Sequence, residues 1–167
     1  MARQLWLLRH ADAEPHGTRP DADRELSARG EHQARAAGIA LARLGTVFDA
    51  VLFSPKVRAL QTAELAAEQW STGDRERLRS HPPLAGGFAA KDALAQLDSF
   101  GPDARVLLVG HEPDLSSLAG ELTGGQIDLK KGGLAVIRLE GGAGGELTVL
   151  LRPREIALIA GSPGDGE

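Results

Sequence analysis

The chain contains no cysteine. Disulfides, thiolate nucleophiles and cysteine-based zinc sites are therefore excluded. It has no tyrosine, and two tryptophans and four phenylalanines are its whole aromatic stock, 4% of the residues. That is too little to build base-stacking platforms. Cations are outnumbered, 19 Lys and Arg against 23 Asp and Glu, for a formal net charge of -4. General nucleic-acid binding, which needs a basic face, is disfavoured. No apolar run approaches the roughly 20 residues of a membrane span. Met1-Ala2-Arg3-Gln4 leads straight into a short apolar segment, without the apolar stretch and cleavage site of a signal peptide. The expectation is a cytoplasmic protein with neither membrane nor nucleic acid as partner.

What is present suits one ordinary globular unit. The 167 residues, 42% apolar and 25% charged, are enough to bury a real core. One domain is expected over residues 1–160, followed by a disordered tail at 161–167. Leu5–Leu8 is a short apolar run ending in Arg9-His10, and it reads as a buried first strand with chemistry at its C-terminal end. Residues 11–25 form a long aperiodic loop, the kind that is usually functional or disordered. Ser27 is placed to cap a helix carrying Ala34, Ala37, Leu41 and Leu44 on one face, with Gly45 as terminator. Ala50–Phe53 reads as a second strand. Ser54-Pro55 reads as a cap with proline at the first helical position, opening a helix that ends near Trp70. A short strand is expected near Leu78, a helix over Ala90–Leu97, a strand over Arg105–Val109 and a helix over Pro113–Leu122. Leu134–Leu139 and Leu147–Leu151 read as a hairpin, with Gly141–Glu146 between them. This glycine-rich stretch lacks the Lys-Ser/Thr of a P-loop and is read as a turn. Strands alternating with helices predict an α/β fold: a three-layer α/β/α sandwich with a mostly parallel central sheet.

In such sheets ligands bind beyond the C-terminal strand ends. Arg9, His10, Arg58 and His111 each fall at a strand end or in the first turn of the following helix, so they converge on one edge. Gathering two guanidiniums and two imidazoles in an acidic protein is costly unless an anion joins them. Arginine is also the side chain best shaped to hold phosphate oxygens through paired hydrogen bonds. The cluster therefore reads as a phosphoryl pocket. A neutral imidazole can attack phosphorus to give a phosphohistidine that water later cleaves. With side chains supplying the positive charge, no metal or other cofactor is required.

The motifs carrying these residues resemble the histidine phosphatase superfamily, also called phosphoglycerate mutase-like. Leu7-Leu8-Arg9-His10-Ala11 resembles its R-H-G signature, with alanine for glycine. Residues 26–34, from Leu26-Ser27 through Gly30 to Gln33-Ala34, resemble its L-[ST]-x-x-G-x-x-Q-A helix start. Residues 54–63 resemble its S-P-x-x-R-A-x-Q-T-A segment, and Val109-Gly110-His111-Glu112-Pro113 is similar to the second-histidine motif of small SixA-type phosphohistidine phosphatases. The resemblance runs from Leu5 to about Leu151 in family order. It implies His10 as nucleophile, with Arg9, Arg58 and His111 holding the phosphoryl group. Arg24 resembles a further phosphate-pocket arginine of SixA-type members, while from the sequence itself it could pair locally with Asp21 or Asp23. Glu112 is a candidate substrate contact as well as a candidate cap for the helix at Pro113. Asp21, Asp23 and Glu25 read as a solvated loop face. His16, His32 and His81 read as bystanders, and His10-x-Asp12 with His16 is a poor match to zinc spacing.

Superfamily phosphatases and mutases mostly carry an acid after the third strand to protonate an alkoxide leaving group. Here His81–Phe88 has no carboxylate. A phosphoramidate has a weaker bond and a leaving imidazole that protonates easily, so it depends less on such an acid. The short chain also has no large insertion to enclose a small metabolite. The substrate implied is phosphohistidine on a carrier or phosphotransfer protein, with phosphate as product. A small-molecule phosphomonoesterase or mutase, and a catalytically silent phosphoryl-binding regulatory domain, are the alternatives.

Overall fold

Six strands organise the described residues, the central ones almost continuously buried. In β1 (Arg3–Arg9), Leu5 and Leu7 face one side of the sheet and Trp6 and Leu8 the other, all of them buried. A strand covered on both faces must be apolar almost continuously, as a central parallel strand is. The computed structural model describes residues 2–141 and 144–162. Its single sheet contains β2 (Ala50–Phe53), β3 (Leu78–Ser80), β4 (Arg105–Gly110), β5 (Leu134–Leu139) and β6 (Glu146–Leu151) in the order β3-β2-β4-β1-β5-β6. The first four positions in that order are parallel, and β5 and β6 add an antiparallel edge. The sheet is thus mixed, with the expected parallel centre.

Helices cover both faces. Leu5, Leu7, Leu52, Val106, Leu108 and Ile137 pack against α4 (Ala90–Asp98) and α5 (Asp114–Thr123). Trp6, Leu8, Val51, Phe53, Leu107, Val109 and Val136 pack against α1 (Ala28–Arg43), α2 (Val57–Ala66) and α6 (Pro153–Ala160). A one-turn helix, α3 (Thr72–Arg75), capped by Ser71, links α2 to β3.

Several expectations are corrected. The helix after β2 begins at Val57 with Lys56 as its cap, not at Ser54-Pro55. The Ser54 hydroxyl is committed elsewhere, to the Lys56 N–H at 3.2 Å and to His111. The helix also stops at Ala66 and continues as a 3-10 turn, Ala67–Gln69, before Trp70. Leu44 is the C-cap of α1 and is exposed instead of sharing the buried face of Ala34, Ala37 and Leu41. Helix α6 was not anticipated. Its signals are Pro153 in the first turn, Ile156 and Ala160 at helical spacing, and Gly161 beyond the end. The expected tail begins in order: the Gly161 and Ser162 N–H groups close α6 onto the Leu158 and Ala157 carbonyls. The rest of the tail, 163–167, lies outside the described residues, as do 142 and 143 in the β5–β6 connection.

Candidate active site

Strand register brings the two histidines together. Arg9 pairs with Gly110 across β1 and β4, so His10 and His111 leave the sheet side by side. The His10 N–H donates to the Gly110 carbonyl at 2.9 Å, and the ring centroids lie 5.2 Å apart. Phe53 pairs with Val109 on the other side of β4, which sets Ser54 next to His111.

The motif residues that are not themselves reactive hold this edge in place. The Ala11 N–H donates to Thr62 Oγ1 at 3.1 Å, and that hydroxyl donates to the Arg58 carbonyl at 2.6 Å. Gln33 accepts the Asp12 N–H at 2.9 Å, and Gln61 accepts the Leu26 N–H at 2.8 Å. Gly30 is required by contact: a Cβ there would lie 1.8 Å from the Asp12 carbonyl oxygen. The long loop after β1 is therefore anchored to α1 and α2, with Arg58 in the first turn of α2 aimed at the sheet edge.

His10 is 6% exposed. Its Nδ1–H donates to the Ala11 carbonyl at 2.8 Å, which leaves the Nε2 lone pair available. Burial, aided by His111, Arg58 and Arg9, pushes its pKa down to about 3, so the ring is neutral at neutral pH. His111 is similarly buried, with a pKa pushed down to about 4 by burial and by Arg58 and Lys56, against an opposing effect from Asp21. Its Nε2 lies 2.7 Å from Ser54 Oγ. Ser54 Oγ also accepts the Lys56 N–H at 3.2 Å. Nδ1 of His111 is buried and has no hydrogen-bond partner among the described residues, and the same is true of Nε of Arg9 and Nε of Arg58.

The arginines are fixed by carbonyls and one carboxylate. Arg9 Nη1 donates to the Leu129 carbonyl at 3.0 Å. Arg58 Nη1 donates to the Asp21 carbonyl at 2.7 Å, and Nη2 lies 3.3 Å from Asp21 Oδ2. Arg24, also buried, donates to Asp21 Oδ1 from Nε (3.1 Å) and Nη2 (2.9 Å) and to the Glu14 carbonyl from Nη1 (2.7 Å). Lys56 Nζ reaches Asp21 Oδ2 at 3.2 Å. Asp21 is thus not a bystander on a solvated loop face. Three cations converge on it, and with Arg24 the leading influence they hold its carboxyl well below the usual carboxylate range. The sequence offered Asp21 as a local partner of Arg24, which it is, but its contacts with Lys56 and Arg58 carry no spacing signal.

The remaining candidates are placed less centrally. Glu112 Oε1 accepts the Ser116 N–H at 3.0 Å, the act of a capping residue, while its charge is also felt by Arg9. His16 is exposed, 3.8 Å from Asp21, and His81 stacks edge-on against Phe88 with centroids 5.8 Å apart. His32 is exposed. No group of three or more His, Cys, Asp or Glu able to hold a metal ion occurs among the described residues. No helix among them is long and apolar enough to cross a membrane.

A neutral imidazole with a free Nε2, a second imidazole with an unpartnered ring nitrogen and two guanidiniums at one sheet edge define an α/β protein built to hold a tetrahedral oxyanion. Comparisons with known proteins point the same way. Residues 5–81 match the model of the histidine phosphatase superfamily (branch 1). An uncharacterised protein of Picosynechococcus is 32% identical over 167 residues, covering 90% of this chain and 97% of that relative. Among solved structures, the protein histidine phosphatase SixA in complex with tungstate matches with a TM-score of 0.79 at 23% identity, over 92% of this chain and 99% of that one. A protein of Nakamurella multipartitia assigned as phosphohistidine phosphatase SixA matches at 0.76 and 28% identity, over 92% and 97%. A protein of Escherichia coli assigned as an α-ribazole-5'-P phosphatase matches at 0.74 and 22% identity, over 91% and 98%. The chain belongs to the histidine phosphatase superfamily, on its SixA-type side, and its chemistry is that of a phosphatase.

Proposed function

We propose that the protein removes the phosphoryl group from phosphohistidine on a carrier or phosphotransfer protein, with His10 as nucleophile. The observation that carries the nucleophile is the Nδ1–H to Ala11 hydrogen bond, which fixes the tautomer and presents Nε2. In the first step the Nε2–phosphorus bond forms as the phosphorus–nitrogen bond to the substrate imidazole breaks. The leaving ring takes its proton from water. In the second step water attacks phosphorus, inorganic phosphate leaves and His10 is regenerated. Arg9, Arg58 and His111, through its unpartnered Nδ1, would bind the equatorial oxygens throughout, which is where phosphoryl transfer needs charge. Arg24 contributes through its hold on Asp21. The reading takes residues 1–160 as one catalytic domain acting in the cytoplasm.

Substrate choice rests on the carboxylates around the site. Asp12 accepts from the Ser27 hydroxyl at 2.6 Å, Asp21 is bound by three cations, Glu112 caps Ser116 and Asp114 accepts the Phe88 N–H at 3.2 Å. Each is already engaged, so an alkoxide leaving group would lack a ready proton donor. A phosphomonoesterase acting on a small molecule is the second reading, favoured by the fold shared with the protein assigned as an α-ribazole-5'-P phosphatase. Rate constants for a phosphohistidine peptide, an aryl phosphate and an alkyl phosphate at one pH decide between them. The expected order is that of the naming, and an alkyl phosphate that equals the phosphohistidine peptide overturns the substrate while leaving the nucleophile standing. His10→Ala is expected to abolish turnover with the fold intact. Label trapped on any residue other than His10 would overturn the mechanism.

A further inference from the structure

Beside the site lies a groove of about 440 Å³ whose lining reverses the charge of the molecule. Six of the chain's 19 Lys and Arg line it: Arg9, Arg29, Lys130, Lys131, Arg152 and Arg154. The carboxylate among the lining residues is Asp12. Beyond Arg9 at the end of β1, three separate segments supply the cations, the start of α1, the loop between α5 and β5, and the start of α6. Two of these are helix N-termini, where a cation opposes the helix dipole and costs stability. Exposed or half-exposed carboxylates lie near several of these cations. Lys131 lies 3.6 Å from Asp12, Lys130 2.7 Å from Asp128 and Arg152 2.8 Å from Glu155. Pairs as exposed as these compensate weakly. An acidic protein that concentrates cations this way, at a cost to two helices, has a site for anions there.

Arg9 belongs to both places. It lines the groove and directly precedes His10, so a group in the groove lies close to the phosphoryl centre. The volume admits one or two carboxylate side chains, and the lining has no aromatic residue on which a nucleobase could stack. We propose that the groove binds acidic side chains flanking the phosphohistidine, so that the substrate is a phosphohistidine set in an acidic stretch of protein. This rests on the phosphohistidine reading above and adds to it a recognition element distinct from the catalytic cluster.

The test uses two phosphohistidine peptides, one with Asp and Glu on both sides of the phosphorylated residue and one with Ser and Gln there. The expected kcat/KM favours the acidic peptide about tenfold at low salt, mostly through KM, and the preference shrinks at 0.5 M salt. The double variant Lys131→Glu/Arg154→Glu is expected to lose the preference while its kcat on an aryl phosphate stays within about twofold. No preference in the wild-type protein, or a preference that survives both the double reversal and high salt, overturns the groove. Turnover of the neutral peptide keeps the two proposals apart. If it is cleaved without any flank preference, only the groove fails. If neither peptide is cleaved while the aryl phosphate is, the phosphohistidine reading fails and the groove falls with it.

Discussion

The molecule gathers positive charge in two places and treats it differently. At the sheet edge Arg58 and Arg24 are buried, and the chain brings its own counter-ion, Asp21, to meet them. In the groove Lys130, Lys131 and Arg152 are about half exposed or more, each beside an exposed or half-exposed carboxylate. The difference follows from solvation. A buried cation without an anion is expensive, so a buried cluster needs a partner at all times. An exposed cation costs little, and its field is available to a ligand from outside. The first cluster is therefore suited to holding one group tightly, and the second to attracting a partner weakly.

The largest expected effect separates these roles. Arg58→Ala should lower kcat on any phosphoryl substrate by a hundredfold or more, because its contact is made most strongly as charge develops on the transferring group. Steady-state kinetics on an aryl phosphate measures this directly. A loss confined to KM would mean that Arg58 binds ground state and transition state alike.

A second, smaller effect follows from the two imidazoles. In the unfolded chain a histidine titrates near 6.5, whereas in the fold His10 titrates at about 3 and His111 at about 4. Both pKa values are lowered, so between roughly pH 3 and 6.5 the unfolded state binds more protons. Stability therefore rises with pH across that window, and the part due to these histidines is fully present above it. Acidification from pH 7 to 4 should remove on the order of a few kcal/mol through these two groups. Urea unfolding at several pH values tests it: a His10→Gln/His111→Gln variant should show a distinctly shallower slope between pH 4 and 6.5. Equal slopes would show that the fold leaves the two imidazole pKa values where the unfolded chain has them, against the lowering by burial.

The two clusters were also unequally legible from the sequence. Arg9, His10, Arg58 and His111 stand at strand ends or in a first helical turn, positions that periodicity can locate, and each sits within a motif whose other members have evident jobs. Gln33, Gln61, Thr62 and Gly30 anchor the loop by hydrogen bonds and close contact, and such fixed geometry leaves fixed spacing. The parallel centre of the sheet was legible for a related reason, since strands buried on both faces read as unbroken apolar runs. The groove was not legible. Apart from Arg9, its cations are residues 29, 130, 131, 152 and 154, which no periodicity relates, and the last two stand at the start of a helix that the sequence did not signal clearly. Asp21 was legible only as a local partner of Arg24, because its other contacts are with residues 35 and 37 positions away.

The smallest expected effect, and the one that most sharpens the contrast, concerns Asp21. Its Oδ2 lies 3.3 Å from Arg58 Nη2 and 3.2 Å from Lys56 Nζ. An incoming oxyanion needs Arg58 as well, so the carboxylate competes with the substrate. The depressed pKa of Asp21 keeps that competitor charged throughout the working range. Asn would remove the charge and keep the shape. Arg58 would retain its 2.7 Å bond to the residue-21 carbonyl, which does not depend on the side chain. Asp21→Asn should therefore tighten vanadate or phosphate binding, by about two- to tenfold given how exposed the carboxylate is. Reversing a groove cation, by contrast, should leave vanadate binding nearly unchanged, since its field is screened by solvent. Calorimetric titration of vanadate into the wild type, Asp21→Asn and Lys131→Glu measures all three. Weaker binding in Asp21→Asn would show that the carboxylate organises Arg24 and Arg58 instead of competing for them, and the buried cluster would then need its aspartate even with substrate in place.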